Sequence, residues 1–364
     1  MNTPRSILVT GATGLIGRGV VASLLRRTKS PIVVLVRDPV RWQRVAGQLG
    51  PGGTRVTAVR ADVTRPALGL DLRTMTRSMG APSVLVHSAG DIVFSRSLAE
   101  ARQVNVEGTR NVVELAYSFP DVRLVHVSSA FAVGRRTGFI PEGATVGDAG
   151  WVNAYEQSKH EAELIVRESE LQYVIARPST VVCDDAGGAV TQVNAVHRAL
   201  RLYHAGLASI MPGTEDTPVD VIPADWVADA IARLALTDRC AGKTVHLCAG
   251  EGALPLGELL DRTYALWSRD TSWRRRHVAR PALSDLDTYR LFERSVELVG
   301  DARLKRITRS LSHFVPQLAL PKVFETSLAR ELLGEAAPAV TTYWERMLAW
   351  LLASNWSAAL PEAA

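Results

Sequence analysis

Tyr155 and Lys159 stand one helical turn apart in the run Tyr155-Glu156-Gln157-Ser158-Lys159, which puts both side chains on one face of a helix. A free phenol titrates near ~10, too high for ready proton exchange around neutrality. An adjacent ammonium favours the phenolate, so the pair is expected to lower the Tyr155 value. The same ammonium can hydrogen-bond a nicotinamide ribose. Ser129 closes the run Val127-Ser128-Ser129, and its hydroxyl can hold a substrate oxygen beside the phenol. A Tyr-x-x-x-Lys pair alone recurs by chance on helices. Joined to a serine after a strand and a glycine loop at the start of the chain, it describes a hydride-transfer site.

That loop is Thr10-Gly11-Ala12-Thr13-Gly14-Leu15-Ile16-Gly17. Gly11 permits a tight turn, Gly14 lets backbone N–H groups approach a pyrophosphate, and Gly17 lets the following helix pack close to its strand. The helix N-terminus adds partial positive charge for the phosphates. The next apolar run ends in Val36-Arg37-Asp38. A carboxylate at that strand end serves a ribose 2′-OH, whereas a guanidinium suits a 2′-phosphate. Arg37 therefore predicts NADP(H) over NAD(H), with Arg41 and Arg44 as possible helpers and Asp38 as the opposing signal. Asp62, after the third run, is placed either to accept from the adenine amino group or to cap a helix.

Ile7-Leu8-Val9-Thr10 is the first short apolar run, and a helical pattern of Leu15, Ile16, Val20, Leu24 and Leu25 follows it. Further runs begin at Ile32, Val56, Val84, Leu124 and Val174, with helical patterns between them, and Asn105 is read as opening the helix before the Leu124 run. Runs that are apolar throughout read as parallel strands buried on both faces. The alternation predicts an α/β fold, a doubly wound parallel (Rossmann) sheet with right-handed crossovers. Pro178 closes the regular region. Residues 1–182 form the expected dinucleotide-binding domain and 183–364 a smaller, mostly helical substrate-binding cap, with segments around 219–247 returning to the sheet domain. Val219 to Ile222 and Thr244 to Leu247 are expected strands, and Asp225 caps a helix over 226–236.

Hydrophobic residues make up 47% and charged residues 22% of the 364, a globular composition. The net charge of +5 is spread along the chain, so no nucleic-acid surface is expected. Cys183, Cys240 and Cys248 show no paired or zinc-binding spacing, which fits a reducing, cytoplasmic setting and no metal. No leader is read at Met1–Ser6, and no apolar run is long enough for a membrane span. Oligomeric state is left open.

The glycine loop, Ser129, Tyr155 and Lys159 resemble the extended short-chain dehydrogenase/reductase superfamily. Within it, Asp62-Val63-Thr64 with Leu68-Gly69-Leu70, His87-Ser88-Ala89-Gly90-Asp91-Ile92-Val93-Phe94, Asn105-Val106-Glu107-Gly108-Thr109, Val127-Ser128-Ser129-Ala130, Tyr155 to Lys159 and Arg177-Pro178-Ser179 resemble the thioester reductase and fatty acyl-CoA reductase (male sterility-like) branch. The likeness covers about Ile7 to Leu247. It implies that Gly11, Thr13, Gly14, Leu15, Ile16, Gly17, Arg37, Asp62, Val63, Ser88, Ala89, Gly90, Tyr155, Lys159 and Pro178 hold the cofactor, and that Ser129, Tyr155 and Lys159 are catalytic. Ser129 stands where the branch often has Thr, and Cys183 where it often has Gly. The resemblance implies a freestanding NADPH-dependent reductase of a small-molecule or carrier-bound acyl thioester, giving an aldehyde and on a second reduction an alcohol. The alternative is an extended dehydrogenase acting on a ketone or hydroxyl, steroid-like or flavonoid-like, or on a sugar nucleotide. A non-catalytic cofactor-binding regulator is disfavoured because Tyr155 and Lys159 are both present.

Overall fold

The computed structural model describes residues 6–71, 82–144, 149–300 and 302–356. The reading of Met1–Ser6 thus lies, for residues 1–5, outside the described residues. Seven strands form one sheet: β1 (Ile7–Thr10), β2 (Ile32–Val36), β3 (Val56–Arg60), β4 (Val84–His87), β5 (Arg123–Val127), β6 (Gln172–Pro178) and β7 (Lys243–Leu247). Their order is β7-β6-β5-β4-β1-β2-β3, and every neighbouring pair is parallel. Alternate residues of these apolar strands feed two different cores. Val9, Val34, Val86 and Val125 meet α1 (Leu15–Arg27) and α7 (Ala224–Ala235) on one face. Leu8, Val33, Leu85 and Leu124 meet the other face, covered by α4 (Glu107–Ala116) and α5 (Ala154–Glu168). Burial on both faces is why the runs lack in–out alternation.

Chain order reverses between β1 and β4, so the crevice at their carboxyl ends is the switch point where ligands bind in such sheets. The register sets Thr10 beside His87, and Val127 beside Ala176. Among the described residues the remaining helices are α2 (Pro39–Ala46), α3 (Leu98–Asn105), α6 (Ala195–His204), α8 (Leu256–Trp267), α9 (Thr271–Arg274), α10 (Leu286–Val299), α11 (Ala302–Leu311), α12 (Ser327–Leu333) and α13 (Trp344–Ala353). Trp267, Trp273, Tyr343, Trp344 and Leu348 build a separate core for the C-terminal lobe.

Three local readings change. The expected strand from Val219 to Ile222 is split at Asp220. Pro218–Val219 pairs antiparallel with Leu254–Pro255, and Val221–Pro223 pairs parallel with Thr180–Cys183. The break has a cause: the buried Asp220 carboxylate accepts from Ser179 Oγ and from the N–H groups of Ala249 (2.9 Å) and Gly250 (2.8 Å). The helix expected to follow Asp225 begins one residue before it, with Asp225 in the first turn. Asn105, read as opening a helix, closes α3. All three cysteines are free and buried. No helix among the described residues is long and apolar enough to cross a membrane.

Candidate active site

The glycine loop is built by close backbone packing. Gly11 has φ +70°, and a Cβ there would stand 2.5 Å from the carbonyl carbon of Ser88 and from the N of Ala89. A Cβ on Gly17 would stand 2.1 Å from the Gly11 oxygen. Only glycine lets β1, α1 and the Ser88-Ala89-Gly90 turn after β4 meet this closely. The Gly14 N–H donates to the Gly11 carbonyl at 3.0 Å. No side chain caps α1 and no acid lies in its first turn. Thr13 is half-buried beside the exposed Gly14, and Leu15 and Ile16 are half-buried behind it. An uncapped N-terminus at a switch point fits a pyrophosphate.

Arg37 is exposed immediately after β2. The opposing signal, Asp38, has a structural task. Its carboxylate caps α2, accepting from the N–H groups of Val40 (2.8 Å) and Arg41 (3.1 Å), with Pro39 opening the helix. Asp62 Oδ1 accepts from Thr64 N at 3.0 Å and Thr64 Oγ1 at 2.8 Å, closing its own turn. Burial works to raise this carboxyl, but the Thr64 bonds and the charges of Arg37 and Arg65 hold it below the ordinary range. The Leu68-Gly69 motif explains the loop's shape: Ala67, Leu68 and Gly69 all have positive φ. Leu68 is fully buried, and its carbonyl accepts from Asp62 N at 3.0 Å. Val63 offers its carbonyl to Asn111 Nδ2 at 2.8 Å.

Ser129 follows β5 and accepts from Phe131 N at 3.2 Å. Tyr155 and Lys159 share α5. Lys159 is buried, and its Nζ donates to the Val127 carbonyl at 2.9 Å. A Cβ on Gly90 would stand 3.2 Å from that Nζ and 3.1 Å from Asn105 Oδ1. Asn105 in turn donates to Ser158 Oγ at 2.9 Å and accepts from Asp91 N at 2.8 Å. Pro178 is buried at the end of β6. The structure thus gathers Ser88–Gly90, Ser129, Tyr155, Lys159 and Pro178 at one edge of the sheet, with Arg37 and Asp62 at its β2–β3 end.

The expected electrostatics of Tyr155 are corrected. Burial pushes the phenol up to about 12, against a hydrogen bond with Ser129 that pulls it down, and Glu156 adds to the rise. Lys159 is itself pushed down to about 8 by burial, with Glu163 opposing. The ammonium is committed to the Val127 carbonyl, and burial of the phenol outweighs the pull of the Ser129 hydrogen bond.

Several supporting residues escaped the sequence reading. Glu163 lies one turn beyond Lys159 and is buried with Arg177, which donates through Nε (2.8 Å) and Nη2 (2.6 Å). Ser128 Oγ donates to the same carboxylate at 2.6 Å. This pair clamps α5 to β6 and holds the residue next to Ser129. The helical spacing from Tyr155 through Lys159 to Glu163 was a usable signal. Phe94 ends one of the runs that carry the resemblance, but nothing local joins it to Phe314: the Phe94 ring lies 5.1 Å from Tyr155 and stacks on Phe314 at 6.3 Å.

A seven-stranded parallel sheet with a glycine loop at its switch point is the architecture of NAD(P)-binding oxidoreductases. The NAD-binding family described as male sterility protein matches residues 9–231. An isonitrile lipopeptide synthase of Streptomyces coeruleorubidus is 31% identical over 67% of this chain, which spans 17% of that protein. Fatty acyl-CoA reductase 1 of Xenopus laevis is 24% identical over 69% of the chain and 59% of its own length. The crystal structure of the terminal R domain from the myxalamid PKS-NRPS biosynthetic pathway superposes with a TM-score of 0.79 at 25% identity, covering 100% of this chain and 94% of that one. The chain belongs to the male sterility NAD-binding family of the extended short-chain dehydrogenase/reductases. It spans less than two thirds of the length of the curated relatives named here.

Proposed function

We propose that this chain is an NADPH-dependent reductase of acyl thioesters, with Ser129, Tyr155 and Lys159 as its catalytic residues. The observation that carries the reading is the phenol of Tyr155 gathered with Ser129 and Lys159 at the sheet's carboxyl edge, where burial favours its protonated form. Such a group is a donor to a forming oxyanion, which suits reduction better than proton abstraction from an alcohol. Similarity to a fatty acyl-CoA reductase and to a terminal R domain favours a thioester over a ketone or a sugar nucleotide. The carrier, coenzyme A or a carrier protein, is left to the assay.

Gly11, Thr13, Gly14, Leu15, Ile16 and Gly17 are the proposed pyrophosphate cradle. Asp62 and Val63 are assigned to the adenine side, Ser88, Ala89 and Gly90 to the crevice floor, and Pro178 to the nicotinamide flank. Arg37 is assigned to the 2′-phosphate, and the engagement of Asp38 as a helix cap supports NADP(H). A nicotinamide held there would supply the hydride for the carbonyl carbon. Ser129 and Tyr155 receive the electron pair displaced onto the carbonyl oxygen as two hydrogen bonds. Lys159, held by the Val127 carbonyl, would hold the cofactor's ribose through its ammonium. When the adduct collapses, the electron pair on oxygen re-forms the carbonyl, the C–S bond breaks, and the thiolate leaves and takes a proton from solvent, giving an aldehyde and a free thiol. Residues 1–182 with the returning 219–247 segment are the proposed cofactor domain, the rest the substrate lobe, and the cytoplasm the proposed location.

The test is an NADPH-oxidation panel of acyl-CoA, acyl-pantetheine and acyl-carrier thioesters, a ketone and a sugar nucleotide. Oxidation with a thioester and trapped aldehyde is expected. Turnover confined to the ketone or sugar nucleotide contradicts the proposal.

A further inference from the structure

The turn of α5 that carries Tyr155 is held by residues far away in sequence. Glu156, the next residue, is buried, and its carboxylate accepts from the Val152 N–H at 2.9 Å and from Gln317 Nε2. Gln317 Oε1 in turn accepts from Lys322 Nζ at 2.9 Å, and that ammonium also donates to the Leu320 carbonyl at 3.2 Å. Gln317 and Lys322 are themselves buried. A second tie lies beside this chain: Asn153, the N-cap of α5, donates through Nδ2 to the His313 carbonyl at 3.0 Å. Both ties end on residues 313–322, which follow α11. The same stretch carries Phe314, whose ring stacks on Phe94, and Phe94 packs on Tyr155. Its far end is fixed, because Lys322 opens the strand Lys322–Phe324 that pairs with Gly138–Ile140.

We propose that Gln317 and Lys322 are positioning residues for Tyr155. The buried chain Glu156–Gln317–Lys322 clamps residues 313–322 onto the first turn of α5. It thereby fixes the phenol by two routes, through its own helix turn and through the Phe314–Phe94 rings. The inference rests on the reading of Tyr155 as the oxyanion donor. A buried carboxylate persists where it is paired and hydrogen-bonded. Burial pushes the Glu156 carboxyl up to about 6, and the Val152 and Gln317 bonds with the charges of Lys322 and Arg135 oppose the rise. The clamp sits on the turn where a small displacement moves the reacting oxygen. Misplacing a reacting group by about 1 Å costs on the order of 10²-fold in rate, so the clamp acts on kcat. Lys159 keeps its own bond to the Val127 carbonyl, and the glycine loop and Arg37 lie on other elements, so cofactor affinity does not depend on the clamp.

Variants of the full chain test the clamp. Lys322→Met removes the ammonium and leaves Glu156 short of compensating charge, and Gln317→Met cuts the chain at its neutral link. In the double variant Glu156→Gln/Lys322→Met, an amide at position 156 can accept from Val152 and donate to the Gln317 oxygen that Lys322 has released. The link then re-forms without charge. The readouts are turnover of an acyl-pantetheine thioester, NADPH affinity by fluorescence, and the Cζ resonance of Tyr155 in isotope-labelled protein, which needs no turnover and is assigned with Tyr155→Phe. Both single variants are expected to lower kcat roughly ten- to hundredfold and to displace the Tyr155 resonance, with NADPH affinity unchanged. The double variant is expected to recover most of both. Wild-type kcat and an unmoved resonance in the single variants overturn the proposal. So does loss of NADPH binding along with kcat in both, which assigns the chain to folding alone, and so does a double variant as impaired as Lys322→Met. If the wild-type protein reduces no thioester, the proposed function fails instead. The resonance then decides the clamp: displacement in the single variants with return in the double supports it, and an unmoved line overturns it.

Discussion

The sheet half and the C-terminal lobe handle polar groups in opposite ways. At the carboxyl edge of the sheet, charged and hydroxyl groups are buried and each is held by a neighbour: Lys159 by the Val127 carbonyl, Asn105 by Ser158 and Asp91, Glu163 by Arg177 and Ser128. In the lobe, a cavity walled in part by Phe314, whose ring stacks on Phe94, is lined among the described residues almost wholly by aliphatic and aromatic side chains. Fixed dipoles lower the barrier of a step that develops charge, whereas an apolar wall discriminates tails by size and polarity. Under the proposed function, the contrast puts rate at the sheet edge and selectivity in the lobe.

The contrast breaks most completely if the buried clamp is removed. Glu163→Ala leaves the Arg177 guanidinium buried and uncompensated, an expected loss of about 3–5 kcal/mol of stability. A denaturant midpoint close to wild type would show that the clamp does not hold the edge together. Tyr155→Phe removes one oxyanion donor and is expected to lower kcat by about 10²–10³-fold with NADPH binding preserved in a fluorescence titration. Comparable kcat in the variant would move the chemistry elsewhere. Arg37→Ala removes a charge-assisted contact worth about 1.5–3 kcal/mol, so KM for NADPH rises roughly 10–100-fold while that for NADH changes little. Equal changes for both cofactors would remove Arg37 from the 2′-phosphate.

The smallest effect is a pH limb. Burial pushes Lys159 down to about 8, so its ammonium is lost as pH rises through about 8, and kcat/KM declines by about tenfold per unit above it. Tyr155, pushed up to about 12, keeps its proton throughout. Lys159→Arg, whose guanidinium stays charged, is expected to flatten the limb. Stability runs the other way. Between about 8 and the ordinary 10.5 the unfolded chain binds more protons at this lysine, so its contribution favours folding as pH rises. Activity and melting temperature that fall together above pH 8 would assign the limb to unfolding.

Much of the sheet was readable because fully apolar runs between glycine and helical patterns have few other homes. The Gly11–Gly17 spacing placed the cofactor loop for the same reason: backbone approach demands glycine wherever it occurs. Asp38 was readable too, since an aspartate before a proline is an N-cap signature, and only its competing role at a strand end hid it. The sign of the Tyr155 shift was not readable. Spacing on a helix reports which groups are neighbours, but burial decides a titration, and burial here comes from residues far away in sequence. Phe314 reaches Phe94 across the lobe boundary, and the strand Lys322–Phe324 pairs with Gly138–Ile140. Neither contact leaves a local pattern.

Deuterium transfer tests the central claim most directly. With NADPH deuterated at the transferable C4 position and an acyl-pantetheine thioester, the account predicts an aldehyde carrying that deuterium at its carbonyl carbon, with free thiol released in step with NADPH oxidised. NADPH oxidation without thiol release, or thiol release without deuterium in the product, would contradict it.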